Sequence, residues 1–323
     1  MDMISFGSVY LELVFGHLRE LPGPGEEVLT DDFAMSCGGA VTSAGAAALA
    51  GVHAGLCTVL GDDLGSHVVI EYCARAGVDL SPSTRVPGRS AGISAVLNFH
   101  GDRAFVTHLP PRPDGEPPPV SRWRDVLRRE RPRWCYLHAG HGVADFLSDA
   151  RELGAKVVLD ISLGDEQYRD TIIECVRLAD VFVPNSDELL RLTGAGTIGQ
   201  AVAAATAWGT PLVVKRGAAG ALVAGPGGMT EVAEGVRQVQ VRDLTGAGDA
   251  FAGALIAAML QGAALTEAVV AANAAGSEAA GRLGAVGEVE VAAMALADRT
   301  QEPMFPGRAA APAAEKAAMD RDL

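Results

Sequence analysis

The run VRDLTGAGDAFAGALIAAML, Val241–Leu260, decides how the rest of the chain is read. Its first half mixes charge, small residues and the glycines Gly246 and Gly248; its second half is almost wholly apolar. Glycines at this spacing let the backbone turn tightly and expose its N–H groups. A helix starting there aims the positive end of its dipole at the same place, which makes an anion site without any lysine. No GxxxxGK[ST] is present, so this is not a Walker A loop. The third glycine position of a dinucleotide fingerprint holds Phe251, which removes that reading as well. Asp249 has two readings on these grounds alone: an acidic residue placed in a first helical turn by the dipole, or the group that does the chemistry.

Outward from this run, composition sets limits. A chain of 323 residues, 49% hydrophobic and 20% charged, is globular rather than disordered and long enough for a substantial core. Its net charge of −14 gives no basic footprint for a nucleic-acid partner. The five cysteines (Cys37, Cys57, Cys73, Cys135, Cys175) are scattered, odd in number and without a CxxC pair, which argues against zinc and against a disulfide framework. The opening MDMISFGSVYLELVFG is acidic and lacks a continuous apolar core, so it is not read as a signal peptide. No apolar run reaches membrane-spanning length without interruption. The expectation is a cytoplasmic protein with reduced thiols and no membrane partner.

Before Val241 the chain alternates. MISFGSVYLELVF reads as a strand, HLRELPGPGEEV as a turn-rich excursion, and CGGAVTSAGAAALAGVHAGLCTVLGDD as glycine turn, Ala-rich helix, strand and acidic loop. SHVVIEYCARAGVDL reads as a helix ending at Gly77, and AGISAVLNFHGDRAFVTHL as a hairpin turning at HGDR. PPRPDGEPPP, Pro110–Pro119, excludes helix and central strand and reads as a surface connection. Then RWCYLHAG, AKVVLDIS, DVFVPNS and GTPLVVKRG read as short apolar strands separated by helices over VADFLSDARELG, YRDTIIECVRLA and DELLRLTG. Such alternation argues for a parallel sheet covered on both faces. A hairpin pair, AGALVAGPGGMTEVAEGVRQVQ, leads into the glycine run. Helices over LTEAVVAANAAGSEAAGRL and EVEVAAMALADR follow it, and an Ala-, Pro- and charge-rich tail, 298–323, reads as disordered.

With these pieces in order, DLTGAGDAFAGAL resembles the C-terminal signature of the PfkB or ribokinase family of carbohydrate and nucleoside kinases. LPGPGEEV…CGGAVTSAGAAALAGVHAGLCTVLGDDLGS resembles the family's N-terminal signature, VFVPNSDELLRLTG its Asn-x-x-Glu segment, and LVVKRGAAGALV its strand–glycine–strand unit before the nucleotide site. The resemblance spans residues 1–297. It implies a ribokinase-like α/β fold: a mostly parallel central sheet flanked by helices, with a small β-sheet lid from roughly residues 9–34 and 89–108.

The resemblance also implies roles. Asp249 would take the proton from an acceptor hydroxyl, and the N–H groups of Gly246, Ala247 and Gly248 would hold the phosphoryl charge. ATP would be the donor, with Lys215, Gly217, Thr245 and Asn273 near it. Asn185 and Glu188 would organise Mg²⁺ through waters. A monovalent cation such as K⁺ is a further implied partner. Each role has a plainer rival: Asn185 and Glu188 as a capping box, Lys215 as a solvated strand end, Asn273 as a partner for local backbone.

The chain departs from the family at the acceptor end. Where an Asn-x-Asp pair is usual, it carries Tyr10 and Glu12. Where an Asn follows the Gly38–Gly39 turn, it carries Ser43. Glu12 keeps a carboxylate able to accept two hydroxyls, and Tyr10 adds an aromatic face that can stack on a sugar or a base. His138, in YLHAGHG, and Asp160, ending KVVLD at a strand's carboxyl end, are further acceptor-site candidates, with loop histidine and N-cap as their rivals. His138 and His141 without a third ligand are poor evidence for a metal. The expectation is an ATP-dependent kinase of an alcohol group, a hydroxymethyl, on a small sugar or sugar-like molecule. A nucleoside kinase is the alternative, and a non-catalytic nucleotide- or sugar-binding regulator is the rival from another class. A homodimer through the lid is compatible with its exposed edge.

Overall fold

The computed structural model describes residues 1–111, 119–162, 168–225 and 228–289. Eight strands form the main sheet in the order β14-β13-β12-β11-β10-β9-β1-β4. They are β1 (Met3–Phe6), β4 (Ala54–Cys57), β9 (Trp134–His138), β10 (Lys156–Asp160), β11 (Val181–Phe182), β12 (Leu212–Lys215), β13 (Ala221–Gly225) and β14 (Gly228–Val232). Pairing is parallel from β4 through β12 and antiparallel only in the β12–β13–β14 meander. The apolar strands predict this, because βαβ crossovers cover both faces and leave no polar side.

Helices α3 (Pro119–Glu130), α4 (Val143–Glu152), α5 (Arg169–Leu178), α6 (Ser186–Thr193) and α7 (Ile198–Thr206) cover one face. Helices α1 (Ala40–Leu49), α8 (Ala247–Leu260) and α9 (Leu265–Ala280) cover the other. The greasiness of α8 is explained by this position: Ala250 to Ala257 are all buried, between the sheet, α1 and α9. Gly253 lets α8 lie against α1, since a Cβ there would strike the backbone carbonyl of Ser43.

A second sheet, ordered β3-β2-β7-β8, comprises β2 (Val9–Leu18), β3 (Phe33–Gly39), β7 (Gly92–Phe99) and β8 (Asp102–His108). Its hairpin turns at HGDR as expected, while β2 and β7 pair parallel. It packs on Leu283 through Val14, Ala34 and Val96. A two-stranded ribbon, β5 (Val59–Leu60) with β6 (Thr84–Arg85), and α2 (Leu64–Ala76), ended by left-handed Gly77, complete the N-terminal part.

Three expectations are corrected. MISFGSVYLELVF is two strands, because the chain breaks at Gly7–Ser8 and leaves the main sheet for the small one. The segments 119–130 and 198–206, given no element from sequence, are helices α3 and α7. Gly38–Gly39 closes strand β3 and starts α1, with Gly39 at φ 82°, instead of forming a separate turn. Of the expected helix over 288–299, Glu288 and Val289 are not helical, and its residues 290–299, the tail 298–323 and residues 112–118 of the proline-rich stretch lie outside the described residues. All five cysteines are free and buried, and among the described residues no helix is long and apolar enough to cross a membrane.

Candidate active site

The period of two along each strand assembles the site. In β9, Cys135 and Leu137 face α3–α7, while Trp134 and Tyr136 face α8. His138 continues the second series. In β10 the same face carries Val158 and then Asp160, whose cross-strand partner is His138; in β12 it carries Val213 and then Lys215. Tyr136, His138, Asp160 and Lys215 therefore converge at the carboxyl ends of the strands, where open α/β sheets bind ligands. The N-terminus of α8 brings Asp249 to the same place.

The contacts are short. Lys215 Nζ donates to Asp160 Oδ2 at 2.6 Å. Tyr136 Oη lies 2.8 Å from Asp249 Oδ1 and 3.1 Å from Asp160 Oδ2. His138 Nε2 lies 3.2 Å from the phenol and 3.6 Å from Asp249 Oδ1, and its Nδ1 is 2.9 Å from Ser162 Oγ. Burial tends to lower the His138 pKa, but the carboxylates of Asp249 and Asp160 outweigh it and raise it. Lys215 is likewise raised, because Asp160 and Glu188 offset its desolvation, so it stays an ammonium. Its side chain is only 13% exposed, unlike a solvated strand end. His138 sits at the end of a strand and engages the aspartate; His141 stands apart from it, edge-on to Tyr168.

The loop before α8 is shaped by Asp243. Its Oδ1 accepts from Thr245 N at 2.9 Å and Thr245 Oγ1 at 2.6 Å, and its Oδ2 from Gly284 N at 2.9 Å. Gly246 is the N-cap, left-handed at φ 74°, and a Cβ there would lie 2.6 Å from that of Ala285. No side chain caps α8; Asp249 points to Tyr136 instead. The Ala247 N–H already donates to Leu244 O at 3.3 Å. The N–H groups of Gly246 and Gly248 have no acceptor among the described residues. A Cβ on Gly248 would approach Lys215 Nζ to 3.1 Å. Helix dipole, free amides and ammonium thus make a local cationic cradle on an acidic protein, which fits a phosphate.

Asn185 and Glu188 form the capping box of α6: Asn185 Oδ1 accepts from Glu188 N at 2.9 Å and Glu188 Oε2 from Asn185 N at 2.7 Å. The Glu188 carboxyl is nevertheless not an ordinary cap. Burial, with the charge of Asp160 beside it, pushes it up to about 7. Asn273 spends both amide hydrogens on Val232 O and Glu234 O, at 3.0 and 2.9 Å, so it supports β14 and its exit. Gly217 adopts φ 55° in a 3₁₀ turn after Lys215, with open space around it.

Of the residues expected at the acceptor, Glu12 is buried and its Oε2 accepts from Ala285 N at 3.1 Å. Burial, against that bond and with Asp243 and Asp249 nearby, pushes it up to about 7. Gly38 has no side chain because one would fall on this carboxyl group. The Tyr10 ring packs on Gly39 and Gly92, where a Cβ would come within 3.0 and 2.6 Å of it. Its phenol is raised by burial and by the charge of Asp249. Ser43, in contrast, is fully buried: its hydroxyl bonds to Ser5 Oγ at 2.7 Å and Ala40 O at 3.1 Å, which leaves no free surface for an acceptor. Two residues absent from the sequence expectations help build the site, Tyr136 and Asp243. The first is signalled by its spacing of two from His138, the second by the Asp-x-Thr pattern of an Asx turn.

Fold and site together define a phosphotransferase of the α/β class with a small β sheet over one end. Residues 2–291 match the profile of the pfkB family carbohydrate kinases, and the chain belongs to that family. Among curated proteins it is similar to a cytidine kinase of Thermococcus kodakarensis, 28% identical over 276 residues, 83% of this chain and 92% of that protein. Its fold is similar to aminoimidazole riboside kinase of Salmonella enterica, solved with aminoimidazole riboside and an ATP analogue (TM-score 0.71, 22% identity, 90% and 97% of the two chains). An E. coli neighbour of the same fold was solved with ATP and Mg²⁺ (TM-score 0.72, 23% identity, 90% and 96%).

Proposed function

We propose that the chain transfers the γ-phosphoryl group of ATP to a hydroxymethyl group of a sugar or nucleoside, with Asp249 as base. The observation that carries this reading is the placement of Asp249 beside a glycine cradle whose Gly246 and Gly248 amides have no acceptor among the described residues. The acceptor oxygen gives its proton to Asp249 and forms a bond to the γ-phosphorus; the bond from that phosphorus to the β-bridging oxygen breaks, and ADP leaves. Gly246 and Gly248 amides and the Lys215 ammonium stabilise charge on the transferring group, a kind of contribution worth about 10²–10³ in rate per donor. A bound Mg²⁺ neutralises phosphate charge. Glu188 fits a place near it through water, since Asp160, Asp249 and Glu188 face a single lysine and an added cation relieves their repulsion. Asp243, beside the glycine loop, accepts from three protein donors and so serves to hold the loop, and no residue is assigned to a K⁺ ion in this reading.

The small sheet supplies Glu12 for adjacent hydroxyls and closes over the site, excluding water as a competing acceptor. A nucleoside acceptor is favoured by one observation, an aromatic ring, Tyr10, held between Gly39 and Gly92 in the small sheet and of a kind that stacks on a base; the cytidine kinase relative is in keeping with it. Buried, reduced thiols suit a cytoplasmic enzyme. Edge strand β8, with Phe105 and Val106 exposed, suits a homodimer through the small sheet. The test is ADP formation by the purified protein with Mg-ATP and a panel of sugars and nucleosides. Turnover with at least one acceptor is expected; none with any acceptor, despite ATP binding, favours the non-catalytic regulator.

A further inference from the structure

We infer that Tyr136 is the positioning residue of the base: its phenol orients the Asp249 carboxylate so that Oδ2 faces the acceptor. The inference rests on the reading of Asp249 as base and adds a residue to it. Tyr136 is buried to 1% exposure on the α8 face of β9, among side chains that are otherwise aliphatic or aromatic. Packing alone there needs only phenylalanine. The hydroxyl must find partners, and three lie within reach: Asp249 Oδ1 at 2.8 Å, Asp160 Oδ2 at 3.1 Å and His138 Nε2 at 3.2 Å.

A phenol has one hydrogen to give. Asp160 is already served, Oδ2 by Lys215 Nζ at 2.6 Å and Oδ1 by Ile161 N at 2.9 Å. The hydrogen therefore goes to the nearer and needier Asp249 Oδ1. Burial and the two carboxylates hold the phenol well above its ordinary range, so it remains a donor. Asp249 Oδ2 has no partner among the described residues and is the oxygen left for the acceptor's proton. Lys215 acts through the same chain: by holding Asp160, it keeps the phenol turned to Asp249. The charged and titratable groups facing the phenol are His138 from β9, Asp160 from β10, Lys215 from β12 and Asp249 from α8.

Tyr136→Phe keeps the ring and removes the bond. Expected is a fall in kcat of about 10–100-fold, the range for a hydrogen bond to a charged group, with KM for ATP little changed. Losing a donor disfavours the carboxylate, so the acid limb of the kcat/KM profile moves to higher pH. Site-specific 3,5-difluorotyrosine at the same position is a stronger donor of nearly the same shape and moves that limb to lower pH. It also decides the matter if the Phe variant does not fold. Opposite shifts support the inference, and an unmoved limb in both variants overturns it. The two readings separate cleanly: turnover retained in Asp249→Asn defeats the base itself, whereas an inactive Asp249→Asn with a wild-type Tyr136→Phe defeats only the positioning role.

Discussion

The proposed phosphoryl end and the proposed acceptor end of this molecule are built from different materials. The phosphoryl end is mostly backbone: Gly246 and Gly248 amides, a helix dipole, and a turn tied by Asp243. Lys215 and Asp249 are added to a frame that a short sequence run already specifies. The acceptor end is made of side chains from separate strands, Tyr10 and Glu12 on β2 against Gly38, Gly39 and Gly92 on β3 and β7. A backbone site tolerates little change, so the glycine run is recognisable. A side-chain site can be re-cut, which is why Tyr10 and Glu12 stand where the family pattern has other residues.

That contrast can be broken from either end. The largest effect on stability is expected at Lys215→Met, which strands Asp160 in a nearly dry site. We expect destabilisation of about 3 kcal/mol, the cost of orphaning one partner of a buried pair, and turnover reduced by about 10²-fold or more. Thermal denaturation and steady-state assays check both. Gly246→Ala comes next, because it meets both a left-handed backbone and Ala285; about 2–3 kcal/mol of lost stability is expected, with turnover reduced for every acceptor alike.

At the acceptor end the signature should be selective. Glu12→Gln should raise the acceptor KM about 10-fold or more while leaving KM for ATP near its original value. A comparable rise for both substrates would show that the two ends are not separate. The same variant carries a stability prediction. The Glu12 carboxyl is pushed from 4.5 to about 7 in the folded protein, so the native state binds a proton that the unfolded chain has released. The contribution of Glu12 to stability therefore falls as pH rises from about 4.5 to 7 and is level above that. Glu12→Gln should flatten this slope, making the variant more stable relative to wild type at pH 8 than at pH 5. The smallest effect belongs to Tyr10→Leu, where loss of stacking should weaken a nucleoside acceptor by about 3–10-fold and a free sugar less. Equal losses for both would remove the support for a nucleoside.

The same division governs what could be read from sequence. The parallel sheet, the buried α8 and the glycine turn follow from local pattern. Helices α3 and α7 also show their period, Val120, Trp123 and Leu127 in one and Ile198, Val202 and Ala205 in the other, but proline and alanine dilute it. Long-range pairing is what sequence concealed. Ser43 falls where a family asparagine is expected, yet its hydroxyl turns to Ser5, 38 positions away. Tyr136 meets Asp249 across 113 residues of chain, and nothing local to either announces the bond. Asn185 and Glu188 read equally as cap and as magnesium site, and the geometry keeps the cap while leaving a buried carboxyl that suits a cation.

The central claim is that Asp249 is the base and not a helix-end charge. Asp249→Asn keeps the size of the side chain, and α8 loses no cap by it. The decisive measurement is single-turnover phosphoryl transfer from Mg-ATP to the best acceptor, with nucleotide affinity measured on the same preparation. Transfer slowed by about 10³-fold or more with ATP affinity within a few-fold of wild type is the predicted result. Transfer at a near wild-type rate in the variant would contradict it.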